Sequence, residues 1–538
     1  MKKVIILIVP FILTLVSHAQ QVTQEWVASY LDSAIDEGDF IGLDAAQNVY
    51  VTGYSINVSK AVTVTLKYNP AAQQLWVARY DSGAGTQVLP MDMVTDQNGN
   101  VYIAAHFQNT SGSDDFLTLK YDSSGILLWQ KRYDNGYQDI PHAIKSDAAG
   151  NVYVTGESAN SIVGFGLTGD YITIKYSSSG QELWSERYDT QFGTPASHYD
   201  ETAYGLTLDP WGGVYVTGRG FYPLTQTNGS AVNFMTLRYD SSGAQQWIQT
   251  FDAGNNDIAQ QIVTDKDGNI FVSGTSNMSP DNGISVVKYD SSGQQLWAQS
   301  FDTSGAVSHK VAGMVSDDAG SVYLLDETYT SYGYYKFLLV KYSAGGQFRW
   351  IQLYDSLASF GGFQAAALSA DHSGGIYVTG YWGLGSGDYI TVRYDTSGTF
   401  VWKAMYNGTF SNTDIAMDVA VDGSGNVYVT GSSLTAGYYQ SIATVKYSQP
   451  SGVDEVKNTG PEVTVFPSPS QGSSIYLSLR GKWDARFRIF DLPGNMVYEQ
   501  AVSPGLNKIN TCLAGGMYVY CVTDGVHVPS AGKILIIN

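Results

Sequence analysis

A chain of 538 residues is longer than one ordinary compact core accommodates, unless that core is an array of repeats. Gly (58) and Tyr (39, against 20 Phe and 11 Trp) are abundant, the composition of short strands joined by tight turns. With 29 Lys and Arg against 49 Asp and Glu the formal charge is −20, which argues against nucleic acid or an anionic membrane as a partner.

The first element is a leader. Lys2 and Lys3 precede an apolar run from Val4 to Val16, and Ser17-His18-Ala19 supplies small residues at a cleavage position. Residues 1–19 therefore read as a secretory signal peptide, cut between Ala19 and Gln20. No later stretch is long and apolar enough to span a bilayer, so no transmembrane segment is expected.

From residue 20 to 448 one pattern recurs. NVYVTG stands at 48–53, 151–156 and 426–431, with close variants at 100, 213, 269, 321 and 375. An Asp lies six residues ahead of each motif aromatic, as in Asp44/Tyr50, Asp147/Tyr153 and Asp265/Phe271. A later Tyr lies eight residues before a Trp, as in Tyr121/Trp129 and Tyr239/Trp247. Each unit reads as four short strands: A, typified by IAQQIVTD (258–265); B, the NVYVTG segment; C, DYITIKY (170–176); and D, QELWSERY (181–188). The A–B and C–D links are constant turns such as DKDGN (265–269) and DSSG (240–243), whereas the B–C and D–A loops vary in length. Four antiparallel strands per repeat predict propeller blades. The chain opens with a lone D strand, QEWVASYLD (24–32), and the repeats end with an A–B–C set at ATVKYS (443–448). The expected fold is therefore all-β: an eight-bladed beta-propeller whose N-terminal strand completes the last blade, which leaves no open sheet edge at either end.

Two columns of the repeat invite a functional reading beside a structural one. The eight Trp, from Trp26 to Trp402, are either ligand-stacking residues or packing between blades, and one per blade at fixed spacing favours packing. The cation before each C-strand Tyr (Lys67, Lys120, Lys175, Arg238, Lys288, Lys341, Arg393, Lys446) makes either an anion ring or a salt bridge to the repeat Asp; the salt bridge is favoured. The pattern GNVYVTG…TxKYDxxGxxLW resembles the beta-propeller repeat called SBBP across all eight copies. That family's name implies seven blades, from which eight sets depart. YDSSGQQLW (289–297) is also similar to the repeat of the eight-bladed pyrroloquinoline-quinone propellers. The adjacent cysteine pair of the quinone dehydrogenases is missing, so that resemblance implies architecture and not redox chemistry.

Residues 449–460 are a polar Pro/Gly-containing linker. Residues 461–538 read as a small C-terminal β-sandwich, with turns at Pro493-Gly494 and Gly515-Gly516. Phe466-Pro467-Ser468-Pro469, the Asp491–Gly494 turn, LAGGMYVY and the final strand after Lys533 resemble the C-terminal sorting domain of the type IX secretion system; Ser468 replaces the usual Asn. The resemblance implies the type IX machinery as a partner, export across the outer membrane, and a secreted or cell-surface location. A plain adhesive sandwich is the alternative. Cys512 and Cys521 read as packed thiols, because their hairpin positions do not face each other.

The chain carries no H-E-x-x-H, G-x-S-x-G, Walker loop or C-x-x-C motif, and its His residues share no ligand spacing. No enzyme is expected on motif grounds, and no cofactor. The variable loops share one face, where binding is usually found on a fixed scaffold. On that face an acid stands eight residues before the repeat Asp at Asp36, Asp139, Glu201, Asp257 and Asp414, and the B–C loops carry aromatics including Tyr334, Tyr335, Trp382, Tyr438 and Tyr439. Acids around a channel mouth suit a cation such as calcium or sugar hydroxyls, and aromatics suit a sugar ring or a protein partner. The competing reading is that the acids cap the A strands and the aromatics cover blade edges. The leading expectation is a secreted binding or adhesion module for a glycan or protein ligand. A purely structural surface protein and a polysaccharide-active enzyme are the alternatives; the enzyme would need convergent acids or a His/Tyr pair in one pocket.

Overall fold

A computed structural model describes residues 22–449 except short loop segments (58–59, 84, 111, 164–165, 191–200, 223–230, 255, 278–281, 302–305, 331–332, 334, 355–361, 372, 384–386, 409–412 and 436). It also describes 462–537 except 467–469, 472–473, 481–484, 491–495, 512, 514–515 and 524–529. The leader with Ala19 and Gln20, the linker after Gln449, Tyr332, Tyr334, Ser468, the Asp491–Gly494 turn and Cys512 lie outside the described residues. The chain divides into two compact units, Met1–Gln449 and Pro450–Asn538.

The first unit is all-β and built from sheets that are blade-like. Six sheets each pair four consecutive strands antiparallel, over 87–133, 139–188, 202–251, 257–301, 306–354 and 363–406. Two further sets, 35–80 and 414–448, are joined in one sheet by a parallel bridge between Ile35 and Gln440. The N-terminal strand Thr23–Tyr30 pairs antiparallel with Gln440–Ser448, Trp26 opposite Lys446. Each A strand contacts the A strand of the next set, and that of the eighth contacts that of the first. B and C strands are buried on both faces, whereas D strands such as Leu127–Tyr133 alternate half-buried and exposed.

Every letter of VYVTG has a physical cause. The two Val fill the core between sheets, as Val152 and Val154 do. The Tyr hydroxyl donates to the Asp six residues earlier, 2.9 Å for Tyr50 to Asp44 and 3.0 Å for Tyr102 to Asp96. That Asp also accepts the turn's own amides, as Asp96 does from Asn98 and Asn100, both at 2.9 Å. The Thr hydroxyl, buried, meets the C-strand Thr opposite: Thr155 to Thr173 at 2.9 Å and Thr217 to Thr236 at 3.0 Å. The Gly allows close approach and has an ordinary φ. A Cβ on Gly156 would lie 2.0 Å from the Ile140 carbonyl oxygen, and one on Gly218 1.9 Å from that of Thr202.

The seams between sheets assign the Trp column to packing and pair five of the eight cations with the repeat Asp. Trp129 donates its indole N–H to the Ser178 carbonyl in the next set's C–D turn at 3.1 Å, and its ring lies 6.0 Å from Tyr176 of that set. Trp76, Trp184, Trp247, Trp297 and Trp350 repeat the bond at 3.0–3.2 Å. Trp26 makes it to Pro70 in the first set at 3.1 Å. Lys67, Lys288 and Lys341 reach Asp44, Asp265 and Asp317 at 3.5, 3.1 and 3.5 Å. Burial raises Asp44, but bonds from Asn48 and Tyr50 and the Lys67 charge outweigh it and hold the carboxyl low.

In the second unit, strands Glu462–Phe466, Ser474–Arg480 and Gly505–Asn510 form one sheet. A second sheet takes Ser470–Gln471, Ser530–Ile537, Gly516–Thr523, Ala485–Phe490 and Met496–Val502. Ile475, Leu477 and Ile509 of one sheet pack with Phe487, Ile489 and Val522 of the other, the core of a sandwich. Cys521 is a half-buried free thiol.

Candidate functional site

The five sequence-selected acids are buried and turned inward on their own loops. Asp36 accepts the amides of Asp32 at 2.7 Å and Ser33 at 3.0 Å, and the Ser55 hydroxyl. Asp139 accepts the Asn135 amide at 2.9 Å and the Ser158 hydroxyl. Asp257 accepts from Ala253 at 2.7 Å and Gly254 at 3.2 Å, and Asp414 from Gly408 at 2.7 Å and Ser433 at 2.6 Å. Glu201 accepts from the Thr190 hydroxyl. Burial pushes Asp139 up to about 6 and raises Asp257 and Asp414. This is the geometry of strand-capping acids. Of the aromatics, Tyr438 (82 % exposed) and Tyr439 (50 %) face solvent. Tyr335 is half-buried with its ring 4.9 Å from Tyr329, and Trp382 is half-buried against the Phe337–Ile376 core cluster.

Two acid groups at equivalent junctions bring their oxygens within 4.8 Å: Asp115, Asp134 and Asp139, then Asp170, Asp189 and Glu201. Each already contains an arginine. Arg132 binds Asp115 at 2.7 Å and Asp134 at 3.0 Å, and Arg187 binds Asp170 at 2.6 Å. The guanidinium supplies the positive charge that calcium would otherwise bring.

A different set of residues, missed in the sequence, converges on the A strands. All eight A strands carry a β-bulge at the same register, between residues such as Pro141/Ala143, Ala203/Gly205 and Ala416/Asp418. A bulge leaves one residue unpaired and re-aims its side chain. Those residues are Asp39, Met91, His142, Tyr204, Gln260, Ala312, Ala366 and Met417. In six sets the motif Gly lies opposite the bulge, with the A-strand carbonyl where its Cβ would stand; the other two sets place Ala105 and Asp326 opposite the same bulge. The residue after that Gly also changes freely: Tyr54, Glu157, Arg219, Tyr381.

These columns meet. The His142 ring lies 5.2 Å from Tyr204 of the next set. Burial pushes the His142 imidazole down to about 4, with the positive charges of Arg219 and His106 adding to it, and its buried Nε2 has no hydrogen-bond partner among the described residues. Thr202 donates to Glu157 at 2.8 Å and accepts from Arg219 Nε at 3.3 Å. In the first set Tyr54 donates to Glu37 at 2.7 Å, and burial, then Glu37, push Asp39 well up. Carboxylates also clip neighbouring A strands together. Asp92 accepts the Ile144 amide at 2.8 Å, and Asp418 of the eighth set accepts the Ile41 amide of the first at 2.9 Å. Burial pushes Asp418 up to about 7. A neutral imidazole, a phenol, a guanidinium and a carboxylate on one surface can bind hydroxyls or exchange protons with a ligand.

A family model described as SBBP, beta-propeller repeat, matches residues 246–280. That segment, which runs from one D strand into the next A–B pair, is thus similar to the SBBP beta-propeller repeat. No curated protein matches the chain. Among solved structures, a protein of unknown function from Dyadobacter fermentans is 14% identical with a TM-score of 0.34, over 57% of this chain and 93% of that one. A PL25 ulvan lyase, a polysaccharide lyase bound to a sugar, is 10% identical with a TM-score of 0.41, over 65% and 90%. Drosophila Plexin A in complex with Semaphorin 1b is 11% identical with a TM-score of 0.38, over 79% and 88%. With TM-scores below 0.5, none of these likenesses bears on what the first unit does.

Proposed function

We propose that the eight strand sets close into an eight-bladed propeller and that the protein is an exported binding module for a hydroxyl-rich ligand, a glycan, held at the A-strand surface on the variable-loop side. Closure is supported by the junction of the eighth and first sets, which repeats the devices used elsewhere. Ile35 bridges Gln440 as Asn256 bridges Val232, and Trp26 bonds Pro70 as Trp129 bonds Ser178. The ligand reading rests on the His142–Tyr204 pair beside Arg219, polar groups of differing chemistry at columns where a scaffold alone needs none. A glycan array with the mature first unit, repeated with His142→Ala and Tyr204→Phe, tests it. The expected result is specific binding reduced at least tenfold in both variants at unchanged melting temperature. Binding that is equal in all three proteins refutes the site.

Residues 1–19 serve export across the inner membrane, and 461–538, by their resemblance to a sorting domain, export across the outer membrane to the medium or cell surface. Deleting 461–538 in a host with the type IX system is expected to retain the protein inside; normal release refutes that role. The same His–Tyr pair favours one second reading, an enzyme acting on a polysaccharide: a neutral imidazole and a phenol are an acid–base pair. Release of shortened oligosaccharides from a polysaccharide panel, abolished by His142→Ala, is the outcome that would select it.

A further inference from the structure

One residue departs from its column on the opposite end, where the A–B and C–D turns gather. Two positions after the repeat Asp the A–B turns hold small or short polar residues such as Ala46, Ala149, Ala319 and Ser373. In the fourth set that position is Trp211, 68 % exposed. It is the only exposed large apolar side chain on the described A–B turns. An indole this exposed adds little to folding, since the stabilisation follows the area removed from water.

The ring is held in place. The Trp211 amide donates to Asp209 at 2.8 Å, and Pro210 restricts the backbone ahead of it. The indole rests on Gly268 in the next set's turn, where an added Cβ would stand 2.3 Å from its Cζ3. Its chain neighbours Pro210 and Gly212 line an open cavity of about 590 Å³ between turns of three successive sets, whose other walls include Ser146, Ala149, Leu208, Thr264 and Lys266; the indole itself lies outside that lining. The Lys266 ammonium and the Asp267 carboxylate stand exposed at its edge, 3.0 Å apart.

We propose that Trp211 is the stacking platform of a second ligand site and that its ligand is a pyranose oligosaccharide. The face of a pyranose ring presents C–H groups to a flat aromatic surface, while its hydroxyls take polar partners, of which the adjoining cavity offers Lys266 and Ser146. A cavity of this size is in the range that holds a small ligand. A protein partner would call for a continuous apolar patch of several hundred Å², whereas this indole stands alone among small and charged residues. The proposal does not rest on the A-strand site, from which it differs in face and residues.

The test uses the full mature chain labelled with 5-fluorotryptophan, with the Trp211 fluorine resonance assigned by its loss in Trp211→Phe. The probes are cellohexaose, xylohexaose, mannohexaose and galacturonate hexamer. At least one is expected to shift the Trp211 resonance saturably. Trp211→Ala should then lower its affinity by calorimetry at least tenfold with an unchanged melting temperature. Gly268→Ala, which lifts the ring, should lower it severalfold, and His142→Ala should leave it intact. If none of the four moves the Trp211 resonance, the proposal fails. Binding kept in Trp211→Ala but lost in His142→Ala overturns this proposal alone and leaves the A-strand site standing. Binding lost in Trp211→Ala but kept in His142→Ala upholds this one alone.

Discussion

Trp402 offers a sharp test of how the ends of the repeat array meet. Seven of the column's tryptophans donate their indole N–H to a carbonyl in the next set's C–D turn. The next set for Trp402 is the eighth, whose C strand ends at Ser448 and whose D strand is Thr23–Tyr30, so no turn connects them. The Trp402 side chain is 1 % exposed and its Nε1 has no acceptor among the described residues. Replacing Trp by Phe removes roughly 40 Å³, worth about 1 kcal/mol at ~24 cal/mol per Å³ of cavity. At Trp129 the variant also loses a hydrogen bond worth about 0.5–1.5 kcal/mol, for a total near 2. At Trp402 it removes a buried unpaired donor and recovers about 1–3 kcal/mol, so the net runs from no change to a gain of about 2. With an unfolding entropy of ~2.1 cal/mol/K per residue, a unit of this size shifts by about 1 °C per kcal/mol. Calorimetric scans should therefore place Trp402→Phe at or above wild type and Trp129→Phe about 2 °C below it. If Trp402→Phe loses as much as Trp129→Phe, the indole has an acceptor, and the reading of a junction without a turn is wrong.

Other perturbations separate the parts of the repeat. Gly156→Ala forces a Cβ to within 2.0 Å of the Ile140 carbonyl oxygen and should cost about 2–4 kcal/mol by urea denaturation. Gly150→Ala, at φ +77° with its nearest contacts at 3.4 Å, should cost only about 1 kcal/mol. Asp139→Ala leaves the Asn135 amide and the Ser158 hydroxyl without their acceptor; it should lower the melting temperature and leave glycan binding unchanged, whereas the reverse result would restore Asp139 as a ligand residue. Burial raises Asp418 to about 7, above the ~3.9 of an unfolded Asp. The folded state then holds the extra proton between those values, so this group's contribution to stability falls as pH rises from about 4 to 7 and is constant above. Asp418→Asn, which keeps an acceptor for the Ile41 amide, should match wild type at pH 4 and exceed it by up to about 4 kcal/mol at pH 8; parallel melting curves across that range would show the carboxyl to be ordinary.

The strand plan was legible because the repeat writes the same constraint many times. Asp-to-Tyr spacing of six reflects one hydrogen bond closing one turn, and Tyr-to-Trp spacing of eight reflects a C–D hairpin of fixed length. The pairing of Thr23–Tyr30 with Gln440–Ser448 was readable as well, from a D strand left over at one end and missing at the other. The acid column was open to two readings, ligand groups or strand caps, and its hydrogen bonds favour the caps. Asp36, Asp139, Asp257 and Asp414 recur because each D–A loop needs an acceptor for its amides, a structural demand that imitates a ring of ligand groups.

The A-strand columns were hidden by the opposite cause. A bulge adds one residue to a strand without changing the distance from the repeat Asp, so Asp39, His142 and Tyr204 sit at a constant spacing yet share no residue type. Periodicity finds positions that repeat a side chain, and these repeat only a backbone distortion. The signal that remains is the Gly of VYVTG. With an ordinary φ, six copies forbid a Cβ because the A-strand carbonyl passes within 2.1 Å of where it would stand. A strand glycine not needed for its φ marks a neighbouring backbone pressed close, and here what presses close is the bulge that turns His142 toward Tyr204. In a repeat of this kind the recurrent glycine thus points to the variable residues across from it, and those, rather than the recurrent acids, are where its sets differ most in chemistry.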